Sequence, residues 1–298
     1  MRAPLRLGLV GAGRWGRIYL RTLARRSDLV LAAVASSNSE TAALLPDGCT
    51  LYPQWPDLLD HPGLDGVIVA TPPRTHIAIA RRAVERGLAV LVEKPLCLDP
   101  AEARSFRDDV QAKQGLVMVD HIHLYSPAFA TLRGLLPDLG RLKRISGRAG
   151  NHGPYRSDAS VLWDWGPHDV AMALALMGAP PDQVSARVAE QRSVGGGVGQ
   201  TVTLDMRFGP VLADFVFSTL IDKTRWLQVE GEGGESIYDD LAADKVRHRG
   251  QKIAIAADLP LDCVLSAFAR RIYDQDHNLD DLNLAVAVVE ILSAVASR

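Results

Sequence analysis

The chain has 298 residues, 47% apolar and 23% charged, which is enough for packed cores and a length that suggests two domains. Its 33 basic and 35 acidic residues leave a net charge of −2, with neither the basic footprint of a nucleic-acid binder nor a basic run for a membrane surface. Cys49, Cys97 and Cys263 are odd in number, far apart and lack C-x-x-C spacing; this argues against a disulfide framework or a cysteine zinc site and points to a reducing, cytoplasmic setting.

In chain order, Leu5–Val10 reads as a buried strand, too short for a signal peptide, and residues 15–25 as a helix. Between them stands Gly11-Ala12-Gly13-Arg14-Trp15-Gly16, a G-x-G-x-x-G in the strand-to-helix position that cradles a pyrophosphate. Gly11 suits the tight turn, Gly13 the close approach of the ligand, and Gly16 close helix packing. Arg14 and Trp15 flank the same turn. The second strand, Leu29–Ala35, runs into Ser36, Ser37 and Asn38 where an NAD site would carry a carboxylate. Those three side chains, with Arg14 as a cation, favour a 2′-phosphate and so NADP over NAD; they also fit an ordinary turn. Residues 67–70 form the next strand, ending at Thr71-Pro72-Pro73. A helix over 75–86 follows, then a strand over 89–92 that delivers Glu93, Lys94 and Pro95. A proline there favours a cis peptide. Pro100 opens a helix to residue 113 with Asp99 as its N-cap, and residues 116–119 close the series. Apolar strands alternating with helices imply a parallel sheet covered on both faces.

After residue 120 the pattern changes. A helix is expected from Pro167 to residue 177, stopped by Gly178, with His168 in its first turn. Strand-like runs follow at 183–191, 200–208, Val211–Ser218 and 225–230, separated by glycine-rich breaks. They predict an antiparallel sheet, and two helices finish the chain. The apolar tail over 282–296 has helical spacing at Leu282, Val286, Val289 and Leu292 and reads as a packed helix; no stretch reaches the roughly 18 apolar residues of a membrane span. Residues 1–120 are expected as one domain and 121–298 as the other.

Lys94 beside a nicotinamide suits polarising a substrate oxygen. A histidine at a helix start stays neutral, as proton abstraction from an alcohol requires. Asp164 precedes it and suits orienting it. In isolation Lys94 also fits a surface lysine, and Asp164 a turn acid. The combination GAGRWG at 11–16, ATPPRTH at 70–76, EKP at 93–95 and DWGPHD at 164–169 resembles the glucose-fructose oxidoreductase and inositol dehydrogenase (Gfo/Idh/MocA) family over most of the chain. The resemblance implies an α/β protein: an N-terminal Rossmann, doubly wound parallel sheet, then an α+β domain with an open, largely antiparallel sheet. It implies that Lys94 is the catalytic lysine and His168 the acid/base, supported by Asp164, and that the chain is a homodimer or homotetramer. With it, Thr71, Pro72, His76, Glu93 and Lys94 itself join the cofactor-binding candidates.

His121, Tyr125, Asn151, His152, Tyr155 and Arg156 are candidates for hydrogen-bonding a hydroxylated substrate: a sugar, a nucleotide-linked sugar or a cyclic polyol. The segment from His121 looks like the crossover into the second domain, where the family often has glycine in place of Asp120. His121 and His123 share a face if extended and invite a zinc reading, but no third ligand has suitable spacing, so no metal is expected. Two rivals remain at the sequence level: reduction of a non-sugar substrate such as an imine or dihydrodiol, and a non-catalytic NAD(P)-binding protein.

Overall fold

The computed structural model describes residues 2–153, 155, 160–195 and 197–296. They divide into two compact units: residues 1–120 with 261–289, and residues 121–260 with 290–298.

The first unit is built on β1 (Leu5–Val10), α1 (Arg14–Leu23), β2 (Leu29–Ala35), β3 (Thr50–Tyr52), α2 (Trp55–Leu59), β4 (Gly66–Val69), α3 (His76–Glu85), β5 (Ala89–Glu93), α4 (Pro100–Ala112) and β6 (Val117–Asp120). The strands order β3-β2-β1-β4-β5-β6, all parallel. The chain runs outward from β1 to β3, then returns to β4, so a topological switch lies between β1 and β4, where ligands bind beyond the carboxyl ends of such sheets. Leu7, Leu9, Val67, Ile68, Val69, Leu91 and Val92 are fully buried, as strands covered on both faces require. Asp99 caps α4, its Oδ1 accepting from the Glu102 amide at 2.8 Å.

The second unit contains α5 (Pro127–Gly134), α6 (Leu136–Leu139), β7 (Leu142–Gly150), α7 (Val161–Met177), β8 (Gln183–Val194), β9 (Gly197–Phe208), β10 (Val211–Ser218), β11 (Thr224–Gly231), β12 (Gly234–Asp239), β13 (Val246–His248) and β14 (Gln251–Lys252). Its eight strands order β14-β13-β12-β11-β7-β10-β9-β8. Every pairing is antiparallel except β7 with β10, which is parallel. Val211, Ala213, Phe215 and Phe217 of β10 alternate into the core, under α7.

The C-terminal helices α8 (Pro260–Asp274) and α9 (Asp280–Ala296) depart from the expected division. Residues 261–289 pack with the first unit rather than the second. Arg25 pairs with Asp262 at 3.2 Å, and Arg26 donates to the Asp262 carbonyl at 3.1 Å. Gly66 leaves room for the Phe268 ring: a Cβ there would lie 3.2 Å from it. The Arg271 guanidinium reaches the Val117 carbonyl and Asp281. These long-range contacts leave no periodic trace in the sequence. Leu282, Val286, Val289 and Leu292 are buried, so α9 is the packed helix that its spacing predicts. No helix among the described residues is long and apolar enough to cross a membrane.

The expected start of α7 is wrong by six residues. Ser160 is the N-cap, its Oγ accepting from the Trp163 amide at 3.4 Å, and Pro167 lies inside the helix. A proline amide cannot donate to the carbonyl four residues back, so the Trp163 carbonyl loses its intrahelical partner. Gly166 beside it brings α7 close to α9, since a Cβ there would sit 3.1 Å from Leu292. The αL cap at Gly178 stands as expected, at φ +67°.

Candidate active site

A cavity of about 870 Å³ opens beyond the carboxyl ends of β1, β2 and β4. The turn from Gly11 to Gly13 forms its base. Ser36, Ser37 and Asn38 line one side, and Thr71 and Pro72 the other. Gly11 has φ +95°, and a Cβ on it would lie 2.6 Å from the Ala70 carbonyl oxygen; a Cβ on Gly16 would overlap the Gly11 carbonyl oxygen. Gly13 differs: a Cβ there meets nothing within 4 Å. As the N-cap of α1 it offers no side chain to the first-turn amides. The space and those amides are what an incoming phosphate needs.

This difference separates folding from binding. Gly16→Ala is expected to destabilise the chain by about 1–3 kcal/mol, the usual cost of overpacking, because its obstacle is backbone. Gly13 has φ −70°, open to any residue. Gly13→Val is therefore expected to leave stability within about 0.5 kcal/mol while dinucleotide affinity falls at least about tenfold, or about 1.4 kcal/mol. Thermal midpoints and dinucleotide titrations on both variants check this.

Arg14, Arg17 and Arg21 all line the cavity from α1, and no hydrogen bond or ion pair engages their guanidinium groups among the described residues. Ser36 Oγ lies 2.9 Å from Thr41 Oγ1, and Asn38 Oδ1 accepts from the Glu40 amide at 2.9 Å. These two side chains thus shape the turn that the sequence also allowed. Ser37 is exposed and unengaged among the described residues.

Among the cofactor candidates, His76, Glu93, Trp15 and Lys94 lie outside the cavity lining. His76 is fully buried: Nε2 is 2.7 Å from the Thr71 carbonyl and Nδ1 2.9 Å from the Pro95 carbonyl. Its ring ties the two turns together and is closed to a ligand; burial pushes its pKa down. Glu93 is 6% exposed and lies against Tyr19 and Asp120 instead of lining the cavity. Trp15 is half-buried, also outside the cavity lining. Lys94 follows β5, and the Lys94–Pro95 peptide is cis.

In the second unit, His168 is the eighth residue of α7, and the helix-end field that fades within the first turn does not reach it. This corrects the expected placement of His168 at a helix start. What faces it is His123, whose ring lies edge-on to it with centroids 4.8 Å apart. His123 Nδ1 is 3.0 Å from the Tyr238 hydroxyl. Residues 122–125 form a 3-10 turn, so His121 and His123 do not share an extended face. Asp164 stands four residues before His168, on the same helix face. The next residue, Asp169, is 1% exposed and pairs with Arg225 at 3.3 Å. His121 is buried and Tyr125 half-buried in the 3-10 turn; the Asn151 amide donates to Ser218 at 3.0 Å, just past β7. His152 pairs at the surface with Asp222. Tyr155 lies against Gly197 and Gly199 of β9. Arg156 lies outside the described residues.

Residues 5–121 match the profile of the GFO_IDH_MocA oxidoreductase family with its NAD-binding Rossmann fold, and residues 136–236 match the GFO/IDH/MocA C-terminal domain. A solved structure from Magnetospirillum magnetotacticum MS-1, assigned as an oxidoreductase, is 38% identical with a TM-score of 0.93, covering 98% of this chain and 100% of that one. This chain belongs to the Gfo/Idh/MocA family. Among curated relatives, UDP-N-acetylglucosamine 3-dehydrogenase of Acidithiobacillus ferrooxidans is 32% identical over 61% of this chain and 57% of its own. Inositol 2-dehydrogenase 4 of Saccharopolyspora erythraea is 32% identical over the same shares. The matched part thus spans little more than half of either enzyme.

Against that family frame, the sequence reading missed Arg17, Arg21 and Trp55 in the cavity lining. The two arginines were readable: with Arg14 they recur at i, i+3 and i+7, one helix face. Trp55 depends on the three-residue strand β3, which is too short to show a pattern. In the sequence alone, His123 stands out only as a metal candidate beside His121. Tyr19 gave no signal.

Proposed function

We propose that this chain is an NAD(P)-dependent oxidoreductase acting on a secondary alcohol or ketone of a small hydroxylated ring: a sugar, nucleotide-linked sugar or cyclic polyol. The observation that carries the reading is the open cradle at Gly13, in the same sheet whose strand β5 is followed directly by Lys94. The α1 amides and Gly11–Gly13 backbone would hold the pyrophosphate, with Thr71 and Pro72 as a wall. When bound, the nicotinamide supplies or accepts the hydride. Lys94 donates a hydrogen bond to the substrate oxygen and stabilises charge developing there. His168 takes the hydroxyl proton in oxidation and returns it in reduction. Asp164, on the same helix face, orients it. Both curated relatives are named for hydroxylated ring substrates, which supports this substrate class.

NADP is the preferred cofactor in this reading. Arg14, Arg17 and Arg21, unpaired among the described residues, and the absence of a carboxylate at the tip of β2 suit a 2′-phosphate. Ser37→Asp is expected to weaken NADPH binding at least about tenfold, about 1.4 kcal/mol, with NADH little affected. The reading is tested by mixing NADPH or NADH with a panel of keto-sugars, keto-inositols and nucleotide-linked keto-sugars and following absorbance at the nicotinamide band. Oxidation by at least one panel member supports it; tight binding without turnover on any of them leaves the non-catalytic alternative. We infer also that copies of this chain associate and that the protein is cytoplasmic. Val188 and Val198 on the β8–β9 hairpin are 56% and 50% exposed, and sedimentation at graded concentrations tests the association.

A further inference from the structure

Glu93 and Asp120 are cross-strand partners at the carboxyl ends of β5 and β6. Both are buried, at 6% and 1% exposure. Tyr19 from α1 donates its hydroxyl hydrogen to Asp120 and interacts with Glu93 as well. Glu93 Oε2 accepts from the Lys94 amide at 3.2 Å. Glu93 Oε1 and Asp120 Oδ1 have no hydrogen-bond partner among the described residues. Two carboxyls this close in a buried site cannot both ionise cheaply, so they titrate as a pair with a shared proton. Burial pushes both upward, and the charge on Asp120 pushes Glu93 further. The groups acting on them are Tyr19 from α1 and Lys94, whose positive charge draws both carboxyls toward the ionised form.

We propose that Glu93, Asp120 and Tyr19 form a buried seat for Lys94, in which the two carboxyls share one proton and turn a single negative charge toward the ammonium, keeping it protonated. The three are positioning residues. Tyr19 fills the gap between the carboxyls and supplies a hydrogen that neither has to provide. A neutral lysine would lose the charge that stabilises a developing alkoxide, so the seat extends the pH range over which Lys94 acts. The consequence for catalysis rests on the proposed function; the charge coupling does not.

The test reads the Lys94 amine directly. The chain has six lysines, so reductive methylation with ¹³C-formaldehyde gives a resolvable NMR spectrum. The Lys94 signal is the one lost in Lys94→Arg. In the full wild-type chain its chemical shift is expected to inflect twice with pH, once as the carboxyl pair releases its shared proton and once as the amine does. In Glu93→Gln/Asp120→Asn the first inflection disappears and the amine midpoint falls by at least one pH unit. Each single variant moves it less, because the remaining carboxylate keeps the charge. A single inflection in the wild type overturns the proposal. So does a double variant whose amine midpoint stays within about 0.3 unit of wild type. Should the double variant fail to fold, the wild-type titration decides alone. If the coupling is seen but Lys94→Met turns over normally, the functional reading fails and the seat stands; the opposite pair of results separates them the other way.

Discussion

Lys94→Met and His168→Ala are each expected to slow hydride transfer by about 10²–10⁴-fold while dinucleotide affinity stays within about threefold. Loss of one preorganised donor at a developing oxyanion slows turnover about 10²–10³-fold, and loss of a positioned acid/base about 10²–10⁴-fold. Methionine keeps most of the lysine's length and removes its charge. Neither side chain is among the residues lining the dinucleotide cavity, so binding is the internal control. Single-turnover mixing with NADPH and an active ketone separates chemistry from product release. The double variant is expected to fall short of the product of the two losses, because groups that act on one oxygen and its proton act as a unit. Unchanged rates in both single variants would remove the two assignments.

The sequence was most legible where burial wrote a strong apolar pattern, nearly continuous in two strands of the first unit and alternating in β10. Leu5–Val10, Leu29–Ala35 and Val211–Ser218 have the bounds that the pattern predicts. The glycine motif was legible for the same reason that it works: Gly11 and Gly16 sit where a Cβ cannot. Illegible features share one property, dependence on partners distant in the chain. The parallel pairing of β7 with β10 inside an otherwise antiparallel sheet is one. The return of α8 to the first unit is another. His76 was misread because its neighbours in sequence belong to a ligand turn, while its ring faces two backbone carbonyls. Pro167 was misread because proline is commonest at a helix start, and here the earlier Ser160 cap takes that role.

Asp169→Ala is expected to destabilise the chain by about 3–5 kcal/mol, the range for breaking a buried ion pair from one side. Its partner Arg225 is 7% exposed and would be left as an uncompensated charge between α7 and β11. At about 2–4 °C per kcal/mol, the thermal midpoint should drop by about 10 °C. Burial pushes the Asp169 carboxyl above its ordinary range, and Arg225 only partly opposes that. The fold therefore gains little from the pair as a pair, and Asp169→Leu/Arg225→Met should recover most of the lost stability. Recovery without recovery of hydride transfer would show that the pair acts on the setting of His168, the neighbouring residue on α7. A midpoint within about 2 °C of wild type in Asp169→Ala would mean that solvent reaches Arg225 and that the pair does not anchor α7 to the sheet.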